Sequence, residues 1–212
     1  MLFAKNPWPK GHRIVSFAWI GRVETDSVWF DLDLQTAEYS EGDRSSDDDD
    51  DEHEDWRAKG VWNNYHRCSL SSVKWPGEAT GVLAGTSKKP LDFAALSNKP
   101  LRADKVPVKG DAKPAFRIYL LGHDAVADHT ISFTKKRGSL ALEWRGRICL
   151  AYAGRTKYQY SFAAVVPGVT FGGFVAGEGV EHAAAREALT KCVVGGAALS
   201  LKRPRAPRMK IT

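Results

Sequence analysis

The chain has 212 residues, 43% of them hydrophobic, and a formal net charge of +6. That length admits one large β domain or two small ones, and that apolar content is enough for a real core. No stretch approaches the apolar length that spans a bilayer, and the start, Met1 to Pro9, has no charged segment leading into an apolar run. Neither a membrane partner nor a secretory signal is therefore expected.

The net figure hides an asymmetry. Residues 1–55 balance to −10, residues 56–212 to +16. A basic body with one acidic stretch is suited to meet a charged surface, in another molecule or in itself. Cys68, Cys149 and Cys192 are odd in number, widely spaced and free of any CxxC pair. They suit free, largely buried thiols and a cytoplasmic location.

In chain order, residues 13–20 are β-branched and aromatic and read as a strand. In the next strand Val28, Phe30, Leu32 and Leu34 alternate with polar Asp31 and Asp33, the pattern of a half-buried strand. Residues 42–55 are acidic, of low complexity and without an aliphatic or aromatic residue, so a solvated insertion is expected. Residues 60–75 return to a strand-like texture, closed by Pro76 and Gly77. Residues 86–114 carry Pro90, Pro100, Pro107 and Pro114 among many cations and read as a basic connection, with a short helix over 91–96 as its one regular element.

Beyond it, strands are expected at 116–121, 130–134, 139–144, 148–152 and 158–166. Turns are expected at Lys136, Arg137 and Gly138, at Arg145 and Gly146, and at Ala153, Gly154 and Arg155. Short strands with glycine at the turns indicate an antiparallel meander. Val180, Ala184, Ala188 and Cys192 recur every four residues before Gly195 and Gly196, which predicts one amphipathic helix over 178–194. The organisation expected is an N-terminal β half at 1–85, the connection at 86–114, a meander plus helix at 115–200 and a basic tail at 201–212. The fold class is mainly β, with α+β as the near alternative. Trp19, Trp29, Phe30, Trp62, Trp144 and Phe162 are the expected core. A faint echo of residues 19–22 at 120–123, and of 54–57 at 142–145, raises an internal duplication.

Several residue sets are candidates for function. Asp47, Asp48, Asp49, Asp50, Asp51, Glu52, Glu54 and Asp55 make a run whose carboxylates can mimic phosphates or plug a basic cleft, with Trp56 and Trp62 beside it as anchors. The bland reading of the run is a solvated loop, and a third is that it covers the chain's own basic face. A Ca²⁺ role fits poorly, since the run lacks the alternating ligands and glycine of an EF-hand. Lys135, Lys136, Arg137, Arg145 and Arg147 fall at strand ends, near Tyr158 and Tyr160. With Lys202, Arg203, Arg205 and Arg208 of the tail they could touch phosphates, or serve only as edge protection and a solubilising end. His123, Asp124, Asp128 and His129 share one loop and could bind metal or act as acid and base, although such residues also favour turns. His66 and Cys68 lack a third member for nucleophilic catalysis. The glycines at 168, 172 and 173 lack the lysine of a phosphate loop.

In general look, a compact antiparallel sheet with one helix and a charged loop, the chain resembles bacterial immunity proteins that neutralise toxins. That resemblance is of texture and rests on no aligned residues. It implies a non-enzymatic protein with no catalytic residues, metal or cofactor, which blocks a basic partner such as a toxin. The alternative is a nucleic-acid-binding protein whose acidic loop is autoinhibitory, and a metal-dependent hydrolase stands behind both.

Overall fold

The computed structural model describes residues 1–41, 56–106, 113–136 and 138–202, with the backbone alone at Lys136. The described chain runs β1 (Leu2–Phe3), β2 (Ile14–Val23), β3 (Ser27–Thr36), α1 (Lys59–Asn63), β4 (Ser69–Ser71), β5 (Val82–Thr86), β6 (Leu101–Ala103) and β7 (Arg117–Tyr119). It continues through β8 (Ala125–Lys136), β9 (Ser139–Cys149), β10 (Tyr160–Val166), β11 (Phe174–Ala176), α2 (His182–Cys192) and β12 (Leu201–Lys202). The fold is mainly β, as the sequence pattern indicates. None of the described helices is long and apolar enough to cross a membrane.

The strands form two sheets. The first has the order β1-β10-β9-β8-β6 and is antiparallel throughout. The second has the order β12-β11-β2-β3-β4-β7, with β5 also on β3. There β11 runs parallel to both β2 and β12, a departure from the purely antiparallel expectation. Parallel neighbours need a crossover, and α2 supplies it between β11 and β12. The sheets do not divide where the expected halves do. β1 joins the sheet built from the C-terminal half, while β11 and β12 join β2.

Three local expectations are corrected. Residues 60–75 are not a strand: α1 and the short β4 replace it, because Trp62 turns inward and its Nε1 donates to the Trp56 carbonyl at 3.0 Å. Residues 91–96 form turns, with Asp92 Oδ1 accepting from the Ala94 amide at 2.8 Å. Leu91 instead bridges to Val193 at the end of α2. Arg145 and Gly146 are not a turn but the middle of the eleven-residue β9. Gly146 is there because the Phe162 ring lies over it: a Cβ would sit 2.5 Å from Phe162 Cε1.

The helix is shorter than its periodicity suggests and buries Ala185, Ala188, Leu189 and Cys192, an i, i+3, i+4, i+7 face. Val180 lies before it, and Ala184 is half-buried. Among the described residues the duplication has no structural counterpart. Residues 19–22 lie inside β2 but 120–123 lie in the loop before β8, and Trp144 is mid-strand whereas Trp56 sits on a turn.

One continuous core joins the sheets. Trp19 and Phe30 of the second sheet meet Phe133 of the first at ring distances of 4.7 and 6.5 Å. Of the expected core residues, only Trp29 is merely half-buried. Asp31, expected on a polar face, is buried too. Its carboxylate accepts from Arg22 Nε at 2.8 Å and Ser72 Oγ at 2.9 Å, so the charge is paired where water is excluded.

Candidate functional site

The acidic run is joined to the body at Glu41 and Trp56, and both junctions are fixed. On the outgoing side the Tyr39 amide donates to the His66 carbonyl at 2.9 Å, and the buried Tyr39 hydroxyl donates to the Leu120 carbonyl at 3.2 Å. Arg13 then pairs with Glu41 at 2.5 Å. On the returning side the Trp56 ring stacks on Tyr160 at 4.1 Å and 16°, and its Nε1 donates to the Ala4 carbonyl at 2.9 Å. Trp62 packs edge-on against Trp56 at 5.2 Å and against Tyr39 at 4.9 Å, tying the two junctions together. His12 stacks on the same Trp62 ring, and burial, aided by the nearby α-amino group, lowers its pKa to about 4. It is neutral in this cluster.

Trp56 and Trp62 are thus 1% and 0% exposed, enclosed in the chain's own core. This corrects their expected role as anchors for a partner: a ring already surrounded by protein has no face left to offer. A mixed surface with apolar residues adjoins Glu41 instead. An open cavity of about 280 Å³ is lined by Pro7, Trp8, Pro9, Lys10, Gly11, Glu41 and Lys59. Glu41 is the residue from which the run departs. Asp47 to Asp55 themselves lie outside the described residues, as do Arg137, Arg203, Arg205 and Arg208.

The 123–129 loop does not bring its four polar residues to one point. His123 and Asp128 are exposed, while Asp124 and His129 are buried at 4% and 1% exposure. Trp144 Nε1 donates to His129 Nδ1 at 3.1 Å, so the ring proton sits on Nε2, which faces Asp104 Oδ2 at 3.6 Å. Burial holds the His129 pKa down to about 3. A base whose free nitrogen is capped by an indole and sealed from solvent cannot take a proton from a substrate. Asp124 accepts from the Leu121 amide at 3.0 Å, and burial raises its carboxyl pKa. It stands alone in the wall of a cavity of about 230 Å³ otherwise lined by Val61, Tyr65, Leu121, Leu150, Tyr152 and Ala153. Among the described residues no three His, Cys, Asp or Glu side chains gather as a metal ion requires. Cys68 is fully buried and its thiol pKa pushed up by burial, while His66 is exposed. All three cysteines are free and buried.

The cations divide between the sheets. Arg145 and Arg147 alternate onto the outer face of β9, and Lys135 is exposed near the hairpin end of β8. Arg102, in the stretch read as a plain connection, joins them on β6, where Thr130 connects it to Arg145 through the strand register. The clue to it was the alternation of Leu101, Arg102 and Ala103, too short to stand out. Lys202 lies on β12 of the other sheet, its Nζ donating to the Gly172 carbonyl at 2.6 Å. Tyr160 turns inward against Trp56 and Tyr158 is half-buried, so these tyrosines do not form the expected aromatic platform.

Comparison of the chain with protein-family models, curated proteins and solved structures finds no match in any of the three.

Proposed function

We propose that the chain is a non-enzymatic binding module that captures and blocks a basic protein through the acidic run, in the manner of an immunity or antitoxin protein. The observation that carries this reading is the pair of fixed junctions. Fourteen residues with a formal charge of −8 are tied at Glu41 and Trp56 to one rigid aromatic cluster. A partner drawn in by that charge meets the body at the same place, beside the cavity of Pro7, Trp8 and Pro9. Charge provides steering and a fast on-rate, and Pro7, Trp8 and Pro9 in the adjoining wall provide the apolar contact that slows dissociation. The three free, buried thiols suit the reducing cytoplasm in which such a partner would be met.

The test is to replace Asp47, Asp48, Asp49, Asp50 and Asp51 by Asn and compare both forms as baits in nuclease-treated extract of the native cells. The account expects one basic protein at near-equal stoichiometry on the unaltered chain, at least tenfold depleted on the variant, with the melting temperature unchanged. Equal recovery by both forms contradicts it.

A further inference from the structure

The outer face of the first sheet carries a charge opposite to that of the acidic run. The registers put Leu2, Ala163, Arg145, Thr130 and Arg102 in one row across all five strands. Arg147 stands on the same face of β9, opposite Ser161 on β10. From strand geometry Arg145 and Arg147 are about 7 Å apart along β9, and Arg102 lies two strands away, about 10 Å across. All three side chains are exposed. Between them the face is made of small or hydroxylated residues: Ala163, Thr130, Ser132 and Ser161.

Two contacts hold the arginines in place without removing them from solvent. Arg102 Nη1 donates to Thr130 Oγ1 at 3.3 Å. Arg145 pairs with Glu143, its own neighbour on the face, and its side chain is still 67% exposed. Arg147 has no acidic partner among the described residues. Arg155 and Lys157, both exposed, extend the charge into the loop after β9, whereas Lys135 alternates with Ile131 and Phe133 and belongs to the other face of β8. The acidic groups on or beside the face are Glu143 and Asp128.

We infer that this face binds the phosphodiester backbone of nucleic acid through Arg102, Arg145 and Arg147. Guanidinium groups spaced by the strand register above a low, hydroxyl-bearing surface match phosphate oxygens, which take two parallel N–H donors from one arginine. The row carries no aromatic side chain, so the donors it offers are guanidinium groups suited to phosphate oxygens. Binding is therefore to backbone, weak in sequence preference and steeply dependent on salt. The interaction lies beyond the capture of a basic protein, uses none of the same residues and survives if that reading fails.

The experiment is fluorescence anisotropy with labelled 20-residue single-stranded RNA and DNA and a 20-base-pair duplex, over a range of salt. Three full-length forms are compared: the unaltered chain, the variant R102Q/R145Q/R147Q, and a control K88Q/K89Q with exposed lysines changed beyond β5 of the other sheet. The inference expects micromolar binding at low salt by the unaltered chain and the control. It expects at least a tenfold loss in the triple variant and a drop of about 2 in the slope of log affinity against log salt for single strands. The three exposed substitutions leave the melting curve in place, so a loss of binding is not a loss of fold. No binding by the unaltered chain, an undiminished triple variant, or an equal loss in the control would each overturn it.

Discussion

The aromatic stem that joins Tyr39 to Trp56 and the outer face of the first sheet are two opposite uses of one β framework. In the stem, His12, Tyr39, Trp56 and Trp62 turn every ring inward against one another. On the sheet face the side chains that matter point outward from strands whose inner residues, Trp144 and Phe162, are fully packed. In both places the core fixes geometry and the surface supplies chemistry. Damage to the first region should therefore cost stability and function together, and damage to the second function alone.

The largest effect should come from Trp62→Ala. It removes the ring that joins both junctions and leaves a cavity in the core, an expected loss of about 3–5 kcal/mol in denaturant unfolding. Partner capture should fall with it, because the junctions separate. A loss under 1 kcal/mol would mean the stem is not the rigid base described.

Acid should come next. His12 and His129 are held neutral, with pKa values lowered to about 4 and about 3. Below their unfolded value near 6.5 the unfolded chain takes up protons that the folded chain refuses, so stability falls as pH falls. Between pH 7.5 and pH 5 the two together remove about 4 kcal/mol. The carboxyls of buried Asp31 and Asp124 and half-buried Asp104, raised by desolvation, act in the opposite sense at the acid end. A stability flat from pH 7.5 to 5 in chemical denaturation would contradict the burial of both rings.

The smallest of the three is Gly146→Ala, which pushes a methyl into the Phe162 ring. The expected cost is about 1–3 kcal/mol. Arg145 and Arg147 flank that glycine, so nucleic-acid affinity should fall with stability only if the ring displaces β9. A fully stable Gly146→Ala protein would show that Phe162 does not lie where the packing puts it.

The sequence revealed the strands through alternation, and β3, β8, β10 and much of β9 lie where that pattern places them. It misled where tertiary packing reversed a local signal. Gly146 looked like a turn because nothing local tells a glycine that bends the chain from one that makes room for a ring on the next strand. Trp62 looked like a strand residue because β-type composition does not reveal that a single buried indole can close a helical turn. Asp31 reads as a polar-face residue because its partners come from elsewhere, Arg22 from β2 and Ser72 from just past β4. Of the candidate sites, Arg145 and Arg147 were legible as an alternating pair, whereas Arg102 became their neighbour only through the pairing of β6 with β8. Trp56 and Trp62 adjoin the acidic run in sequence, but adjacency in sequence does not say which way a ring faces.

The most direct test sets the two charged regions against each other in one pull-down. The unaltered chain, the Asp47–Asp51 to Asn variant and R102Q/R145Q/R147Q serve as baits in native extract, with and without nuclease. The account predicts a basic protein that survives nuclease, stays with the arginine variant and is lost from the asparagine variant. A partner that stays with the asparagine variant and leaves with the arginine variant would contradict it.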